Sequence, residues 1–263
     1  MIPRWSILAV LITLASLPDA TAAADKHVTI RYHGQSFFEI ISTQGTRIVL
    51  DPHAMPEYGR KVVSADLVLM SHFHDDHTQL GVVENAKQAK VINGLKKMGK
   101  DRPDDWNLVD EKFKDVHIRN VGCYHDGVSG MKRGKNSIWI LEVDGLRIVH
   151  LGDLGHVLNE TQIKKIGPVD VLLIPVGGIY TINGSDAKEV VEQLKPRHLI
   201  IPMHFGYSDA DKLLTTREFL EDQKEGTVRK YDTNELTLDP KARPPQNPRI
   251  AVLNFEKKSA AEK

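Results

Sequence analysis

The segment LVLMSHFHDDHTQL, residues Leu67 to Leu80, decides how the rest of the sequence is interpreted. An apolar run is followed at once by a cluster of histidines and aspartates that extends from His72 to His77. This order is typical of a buried strand whose last residues enter a cavity, and His and Asp are side chains that bind metal ions. The cluster therefore predicts a metal site at the end of a strand.

The spacing within this cluster suits two metal ions. His72 and His74 are two positions apart, so on an extended segment their side chains point to the same face. Asp76 and His77 follow where the chain can turn, and they offer a second pair of ligands to a neighbouring position. In the helical H-E-x-x-H pattern one turn separates the ligands, so a metalloprotease site on a helix is disfavoured.

The composition restricts the class of protein. With 263 residues, of which 41% are hydrophobic, the chain can form a full core, and we expect one domain. The 35 basic and 35 acidic residues cancel, so the sequence lacks the basic field that binds nucleic acid or an anionic membrane. A small-molecule substrate fits this neutral chain better, and the composition leaves the oligomeric state open.

The N-terminus has the features of a secretory signal. Residues 1–22 contain one Arg, an apolar stretch from Trp5 to Leu17, and the small-residue sequence Ala20-Thr21-Ala22. The apolar stretch is shorter than the ~20 residues of a membrane span, which disfavours a membrane anchor. We expect cleavage after Ala22, no stable membrane insertion afterwards, and a periplasmic or secreted protein. The single cysteine, Cys123, excludes an internal disulfide and is expected to be a small buried side chain.

The pattern of apolar runs predicts an α/β sandwich. Turns at Thr43-Gln44-Gly45 and Asp144-Gly145 are typical of hairpins. Helices that alternate with strands favour two mostly antiparallel or mixed sheets packed face to face, with helices outside, over residues 23–256, and a disordered tail at 257–263. The predicted strands are 27–33, 36–42, 46–50, 66–71, 115–124, 137–143, 146–151, 171–176, 198–203, 227–231 and 249–254. The predicted helices are 78–90, 160–166, 186–195 and 210–222.

Further candidate ligands end later apolar runs. They are His125 in GCYHDG, Asp153 in RIVHLGDLGH and His204 in LIIPMHFG. Strand ends that open on one edge of a sheet can bring distant residues to one point. His117 and His150 are alternatives to His125, but both lie within predicted strands, where a core or surface role is favoured.

The order H-F-H-D-D-H, a strand-end His, G-D and P-M-H resembles the metallo-β-lactamase superfamily. The run RGKNSIWILEVDGLRIVHLGDLGH, with PVGG after it, is similar to the branch that includes ascorbate-phosphate lactonases and many metal-dependent hydrolases. The resemblance covers roughly residues 27 to 206. It implies an αββα sandwich, with two metals at one edge between the sheets.

The resemblance also implies a role for each matching residue. It assigns to the first metal His72, His74 and His125, and to the second metal Asp76, His77 and His204. It makes Asp153 the bridge between the metals and Asp51, in IVLDP, the acidic residue that supports the ligand loop. The sequence departs from the family at Asp126, where a small hydroxyl residue is more usual.

These ligands predict hydrolytic chemistry. Imidazole and carboxylate suit zinc first, and manganese or iron are also accepted. A metal-bound hydroxide can attack a lactone, ester, amide or phosphodiester, with Asp76 and Asp153 as the catalytic carboxylates. The alternatives are an iron-dependent oxidoreductase on the same fold and a binding protein without activity. His74 stands where diiron relatives usually carry Glu, and the ligand set is complete, so hydrolysis is favoured over both.

Residues near the ligands are candidates for binding the substrate. Arg133 and Lys135, in MKRGKNS, are predicted to form a cationic lip for a phosphate or carboxylate group, the alternative being a solvated loop. Tyr180, in GGIYT, either lines the pocket or closes a turn. Three further histidines are candidates for supporting the ligands or binding substrate: His33, His53 and His156.

Overall fold

Two β-sheets, stacked face to face, contain most of the apolar runs. The computed structural model describes residues 27–99, 102–207 and 212–255. The predicted signal at 1–22 and the predicted tail at 257–263 lie outside these residues. Within the described ranges, no helix has the length and apolar character that a membrane span requires.

The elements follow one another in the order strands first, then strands alternating with helices. The strands are β1 (Val28–Tyr32), β2 (Phe38–Ile41), β3 (Arg47–Leu50), β4 (Leu67–Met70), β5 (Lys90–Asn93), β6 (Leu95–Lys96), β7 (Asp105–Trp106), β8 (Asp110–Phe113), β9 (Val116–Tyr124), β10 (Lys135–Val143), β11 (Leu146–His150), β12 (Val171–Pro175), β13 (Leu199–Met203), β14 (Val228–Lys230), β15 (Glu235–Leu238) and β16 (Arg249–Val252). The helices are α1 (Glu160–Ile166), α2 (Gly184–Leu194) and α3 (Arg217–Leu220), with short 3-10 turns at Pro56–Tyr58, Asp75–His77 and Leu80–Val82.

Both large sheets are mixed, as predicted. The first has the order β15-β1-β2-β3-β4-β5 and the second β14-β16-β13-β12-β11-β10-β9-β8, while β6 and β7 form a small ribbon. Strands β3 and β4 are parallel, and so are β11, β12 and β13. Strand β9 runs the same way as β11, because both are antiparallel to β10. The carboxyl ends of β9, β11 and β13 therefore lie at one edge, where α/β proteins commonly build their sites.

The main core lies between the two sheets. It contains side chains such as Phe38 and Leu69 from the first sheet and Trp139 and Leu173 from the second. The outer face of the second sheet is covered by the helices, which bury Val190 and other apolar residues against it. Strands β12 and β13 are buried along their whole length, which explains why their sequences are continuous apolar runs.

The two predicted hairpins are confirmed. Asp144 and Gly145 both have positive φ, at 53° and 87°, as the tight turn between β10 and β11 requires. The Asp144 carboxylate also accepts a hydrogen bond of 2.8 Å from the backbone N–H of Thr43, in the turn between β2 and β3. The two turns therefore hold the two sheets together at the edge opposite the carboxyl ends of β3 and β11.

The helix predicted over 78–90 is wrong. This segment forms the short turn Leu80–Val82 and further turns that cover the outer face of the first sheet. Gly81 and the β-branched residues after it favour helix weakly. The Asn85 side chain instead accepts a hydrogen bond from the Ala65 backbone N–H and donates one to the Ala65 carbonyl. Of the helix predicted over 210–222, only α3 forms within the described residues.

The strands that the sequence did not predict lie mostly at sheet edges. Strand β5 and strand β15 are the two edges of the first sheet, and β8 is an edge of the second. Their sequences, KVIN, ELTL and DEKF, are only partly buried, so apolar and polar residues do not alternate clearly. Edge position thus explains why these strands are hard to recognise from sequence.

His33, directly after β1, is buried, and neither of its ring nitrogens has a hydrogen-bond partner among the described residues. The nearest carboxylate, that of Glu39, is 3.9 Å away. Burial, and next the charge of Arg31, lower the pKa of His33 to about 4. This histidine is therefore neutral in the folded protein at neutral pH.

We predict that His33 makes the fold less stable in acid. An unfolded histidine takes up its proton near pH 6.5, so the unfolded chain is favoured as the pH falls from about 6.5 towards about 4. His33→Gln should reduce the slope of the unfolding free energy of the metal-free protein in that window by up to about 1.4 kcal/mol per pH unit. Urea denaturation at a series of pH values measures this slope.

His117 provides the matched control. Hydrogen bonds with Asp110 and then with Glu142 raise the pKa of this half-buried histidine. Its contribution is fully present below the unfolded pKa of about 6.5 and is lost as the pH rises, so His117→Gln should leave the slope between about pH 4 and 6.5 little changed and should change it in the opposite direction above about pH 6.5. A slope unaffected by His33→Gln would show that this residue is not held neutral.

Candidate metal centre

The Asp153 carboxylate lies at the centre of the candidate ligands. Its Oδ2 atom is 3.2 Å from Nε2 of His77, 3.2 Å from Nε2 of His125 and 3.1 Å from Nε2 of His204. The Nε2 atom of His72 is 4.0 Å away. These residues follow β11, β4, β9 and β13, so the edge predicted from the strand ends is where they meet.

The ligand atoms form two neighbouring groups around Asp153. His72, His74 and His125 form one group, and within it the potential ligand atoms lie within 4.8 Å of one another. The same limit holds for the second group: Asp76, His77 and His204. These are the two ligand sets that the sequence resemblance implies.

The spacing of the ligand atoms fits a divalent ion. Nε2 of His72 and Nδ1 of His74 are 3.0 Å apart, and two nitrogens bound to one tetrahedral zinc ion lie about 3.3 Å apart. Nε2 of His77 is buried and has no hydrogen-bond partner among the described residues, although Asp153 is close to it. Two ligand atoms that lie this close to each other, without the alignment of a hydrogen bond, are typical of ligands that share one metal ion. These residues can therefore hold a metal.

Asp51, directly after β3, orients the ligands that follow β4. Its carboxylate accepts hydrogen bonds from Nδ1 of His77 at 2.9 Å, and from the backbone N–H and hydroxyl of Ser71, each at 2.6 Å. The Ser71 oxygen is in turn 2.9 Å from Nδ1 of His72. Because these contacts engage Nδ1 in both histidines, Nε2 of each is left for a metal. Asp51 also lies near His72 and His77 in a third possible ligand group, but its oxygens are already engaged by these donors.

The electrostatics of the buried ligands favour a bound cation. Burial, and next the charge of His77, lower the pKa of His72 well below its ordinary value, so its imidazole is neutral at pH 7. Burial opposes the charge on His77, but the carboxylates of Asp153 and Asp51 outweigh it and raise the pKa of His77. Burial would raise the pKa of Asp153, but His204 and then His77 lower it well below the ordinary value. A bound metal would therefore replace the proton on His77, and its binding would release that proton.

The site opens to solvent at His74 and Asp76. His74 is exposed, and Asp76 keeps 33% of its side chain accessible. The Gln35 amide donates a 3.1 Å hydrogen bond to Asp76, and the Tyr58 hydroxyl donates to the Gln35 carbonyl oxygen at 3.4 Å. Burial disfavours the charge on Asp76, but the nearby His77 imidazole outweighs it and lowers the pKa of Asp76. Gln35 was not identified from the sequence, although the HGQSF segment follows β1 at the same edge.

A cleft of about 330 Å³ opens beside His72 and His74, and Arg133 and Lys135 line it. The Lys135 ammonium is paired with the Asp105 carboxylate at 2.8 Å. Arg133 donates to the backbone carbonyl of Ile179 at 3.0 Å and has no carboxylate partner among the residues that the structure describes. Arg133 therefore brings an uncompensated positive charge to this cleft, whereas the charge of Lys135 is balanced.

Asp126 fixes the loop that carries Arg133. Its carboxylate accepts hydrogen bonds from four backbone N–H groups, with distances from 2.7 to 2.9 Å, those of Val128, Gly130, Lys132 and Arg133. Although burial disfavours the charge, these N–H groups, that of Arg133 first, lower the pKa of Asp126 to about 2. Asp126, which stands where the family usually has a small hydroxyl residue, thus fixes the loop that forms one wall of the cleft. The sequence did not reveal this role.

The remaining histidine candidates contact the backbone. His156 donates to the Val157 carbonyl at 2.8 Å and accepts from the Tyr124 N–H at 3.2 Å, so both ring nitrogens support the end of β9. Nε2 of His53 is 3.2 Å from the Gly34 carbonyl, next to Gln35. The two alternatives to His125 as a ligand lie elsewhere. His150 bonds to the Ser36 carbonyl inside the core, and His117 pairs with Asp110 at the surface.

Known proteins resemble this chain in sequence and in fold. Residues 29–204 match the family described as β-lactamase superfamily domain. The chain is 31% identical over 205 residues to the UPF0173 metal-dependent hydrolase of Thermococcus onnurineus, an alignment that covers 68% of this chain and 85% of that protein. A crystal structure from Thermotoga maritima is described as a candidate zinc-dependent hydrolase of the metallo-β-lactamase superfamily. It matches this chain with a TM-score of 0.62 and 32% sequence identity, and the alignment covers 86% of this chain and 98% of the Thermotoga chain. A candidate metal-dependent hydrolase from Parabacteroides distasonis, with 22% identity and a TM-score of 0.52 over 74% of this chain and 89% of its own, shares the fold.

We predict that Asp51 contributes to metal affinity without contacting the metal. Asp51→Asn removes one acceptor for the Nδ1 proton of His77, so zinc affinity should fall by about 10- to 100-fold. Competition with a chromophoric chelator measures the affinity. Asp170→Asn, at another buried aspartate that pairs with Arg197 far from the ligands, is the control and should leave the zinc affinity unchanged. Equal affinities in the two variants would contradict the orienting role of Asp51.

Proposed function

Because this chain belongs to the β-lactamase superfamily domain family, we propose that it is an exported metal-dependent hydrolase with two divalent ions, preferably zinc. The bond that it cleaves is a lactone, ester, amide or phosphodiester of a small substrate. The observation that carries this proposal is the Asp153 carboxylate, which lies between two groups of potential ligands, with one oxygen within 3.2 Å of three imidazole nitrogens. The features of residues 1–22 support export, and the N-terminal sequence of the purified protein would test it.

Bound divalent ions would supply a hydroxide nucleophile near neutral pH and stabilise the oxygen that gains charge during hydrolysis. The chain's own residues prepare the site for this. Asp153 is ionised and buried between the two groups, which suits a ligand shared by both ions. Asp76 is ionised at neutral pH and held by Gln35, so it is a permanent anion at the open side rather than a group that stores a proton.

The open side and the Arg133 cleft favour an anionic substrate. A substrate can reach the ligands past His74 and Asp76, the two that are accessible to solvent. A phosphate or carboxylate near His74 would then lie in the same cleft as the Arg133 guanidinium. Of the two cations predicted from the sequence, Arg133 is the one whose charge remains available, because Lys135 is paired with Asp105.

We predict that Asp153→Asn lowers metal content and hydrolysis together, because the variant loses the charge that balances the ligand histidines. Elemental analysis gives the metal content. Activity is measured on lactones, phosphodiesters, amides and a chromogenic cephalosporin, with zinc, manganese and iron. Wild-type activity in a variant that still holds two ions would refute the bridging role. A purified protein that contains redox-active iron and consumes oxygen would be an oxidoreductase rather than a hydrolase. Turnover of the cephalosporin alone would identify a β-lactamase.

We predict that Arg133 selects for charge on the substrate. Arg133→Ala should raise KM for anionic substrates about tenfold, the effect of losing roughly 1.4 kcal/mol of binding, and should leave kcat little changed. Neutral analogues of the same substrates should keep their KM. Lys135→Ala is the control and should have a smaller effect, since the wild-type ammonium is already neutralised. An equal rise in KM for neutral and anionic substrates would indicate that Arg133 only holds the loop in place.

A further inference from the structure

A second cleft lies on the Asp76 side of the metal centre, and we propose that it binds an uncharged aryl group of the substrate. The cleft has a volume of about 590 Å³, and Asp76 and Gln35 are among the residues that line it. A volume of this size accommodates a small organic group next to the reacting bond. The inference rests on the proposed function, because it names part of the substrate of the same site.

Aromatic rings form the walls of this cleft. Tyr58, Tyr207 and Phe255 pack edge to face, with ring centroids 6.1 Å apart for Tyr58 and Tyr207, 5.0 Å for Tyr58 and Phe255, and 4.6 Å for Tyr207 and Phe255. Tyr180 lines the same cleft, and both it and Tyr207 remain more than 40% exposed, at 43% and 42%. Aromatic side chains exposed beside a functional site commonly mark a binding surface, and such rings pair well with another aryl group.

Tyr180 is held in place by an unusual backbone conformation. Ile179, directly before it, has φ of +58°, a region that β-branched residues rarely adopt, and the Tyr180 N–H bonds to the Gly178 carbonyl at 2.6 Å. The Arg133 guanidinium donates to the Ile179 carbonyl and lies 5.3 Å from the centre of the Tyr180 ring. Strain of this kind persists where the surrounding contacts enforce it, and it is concentrated at functional sites. Tyr180 is therefore positioned before a ligand arrives.

The charges around the cleft disfavour an ionic ligand. The charged side chains that line it are Glu57, Asp76 and Lys212. An anion would face the two carboxylates, and a cation would face the lysine and the Arg133 guanidinium beside the Tyr180 ring, whereas an uncharged ring avoids both repulsions and can pack against the aromatic side chains. Since Arg133 lines the other cleft, the geometry points to a substrate with an anionic end beside His74 and an aryl end beside Asp76.

The test measures binding of 2-naphthol and of its saturated analogue decahydro-2-naphthol, which is similar in size but lacks the aromatic ring. Titration calorimetry with the full-length protein, both metal-free and zinc-loaded, gives the affinities. We expect 2-naphthol to bind about fivefold more tightly than the saturated alcohol, as one to two aromatic contacts would provide. Tyr180→Ala should abolish this preference, while Tyr180→Phe, which keeps the ring, should retain it.

Met131→Ala is the matched control, because Met131 is an exposed apolar side chain that lines the other cleft. It should bind 2-naphthol as the wild type does. Equal affinity for the two alcohols, or the same loss of binding in Met131→Ala and Tyr180→Ala, would overturn the aryl subsite. Because binding requires no turnover, 2-naphthol bound through Tyr180 by a protein that hydrolyses nothing would refute the proposed function and leave the aryl subsite in place.

Discussion

A single buried carboxylate, that of Asp153, is the constraint on which the site depends. Only 2% of this residue is accessible, and an ionised carboxylate at such a depth costs several kcal/mol unless positive charge surrounds it. Imidazoles from three separate strand ends lie within 3.2 Å of one of its oxygens. In the metal-free protein the raised pKa of His77 keeps this imidazole protonated, so it provides the positive charge, and a bound metal ion would take over that role. The same carboxylate thus links the stability of the sandwich to the occupancy of the metal centre.

The scaffold keeps the ligands close by allowing their loops to approach one another. A Cβ atom on Gly155 would lie 2.3 Å from the Asp126 nitrogen, and one on Gly177 would lie 2.1 Å from the His204 carbonyl oxygen. No other residue fits at these two positions without moving the backbone that carries His125 or His204. The glycines of the GDLGH and PVGG segments are therefore required by the close approach of the ligand loops.

The loops around the ligands determine the shape of the space that a substrate would enter. Asp126 holds the loop of Arg133 through its four backbone hydrogen bonds, and Arg133 in turn contacts the strained turn before Tyr180. The Arg133 and Tyr180 side chains thus stand between a cleft with an available positive charge and a cleft walled by aromatic rings. This division suits a substrate whose two ends differ in polarity, with the metal centre between them.

The sequence by itself determined the buried strands, the two hairpins and the residues that surround Asp153. Periodicity and turn composition report local burial, and an apolar run that ends in His or Asp reports a strand end that enters a cavity. The family pattern then supplied the grouping of these ligands. Only the tertiary structure decided which charges are neutralised, since Lys135 and Arg133 look alike in the sequence but only Lys135 lies beside a carboxylate. The aromatic cleft likewise combines rings from distant segments, among them Tyr58, Tyr180 and Phe255, and no local pattern encodes such a meeting. Pairing and cavity shape depend on distances between segments, which the packing of the two sheets fixes.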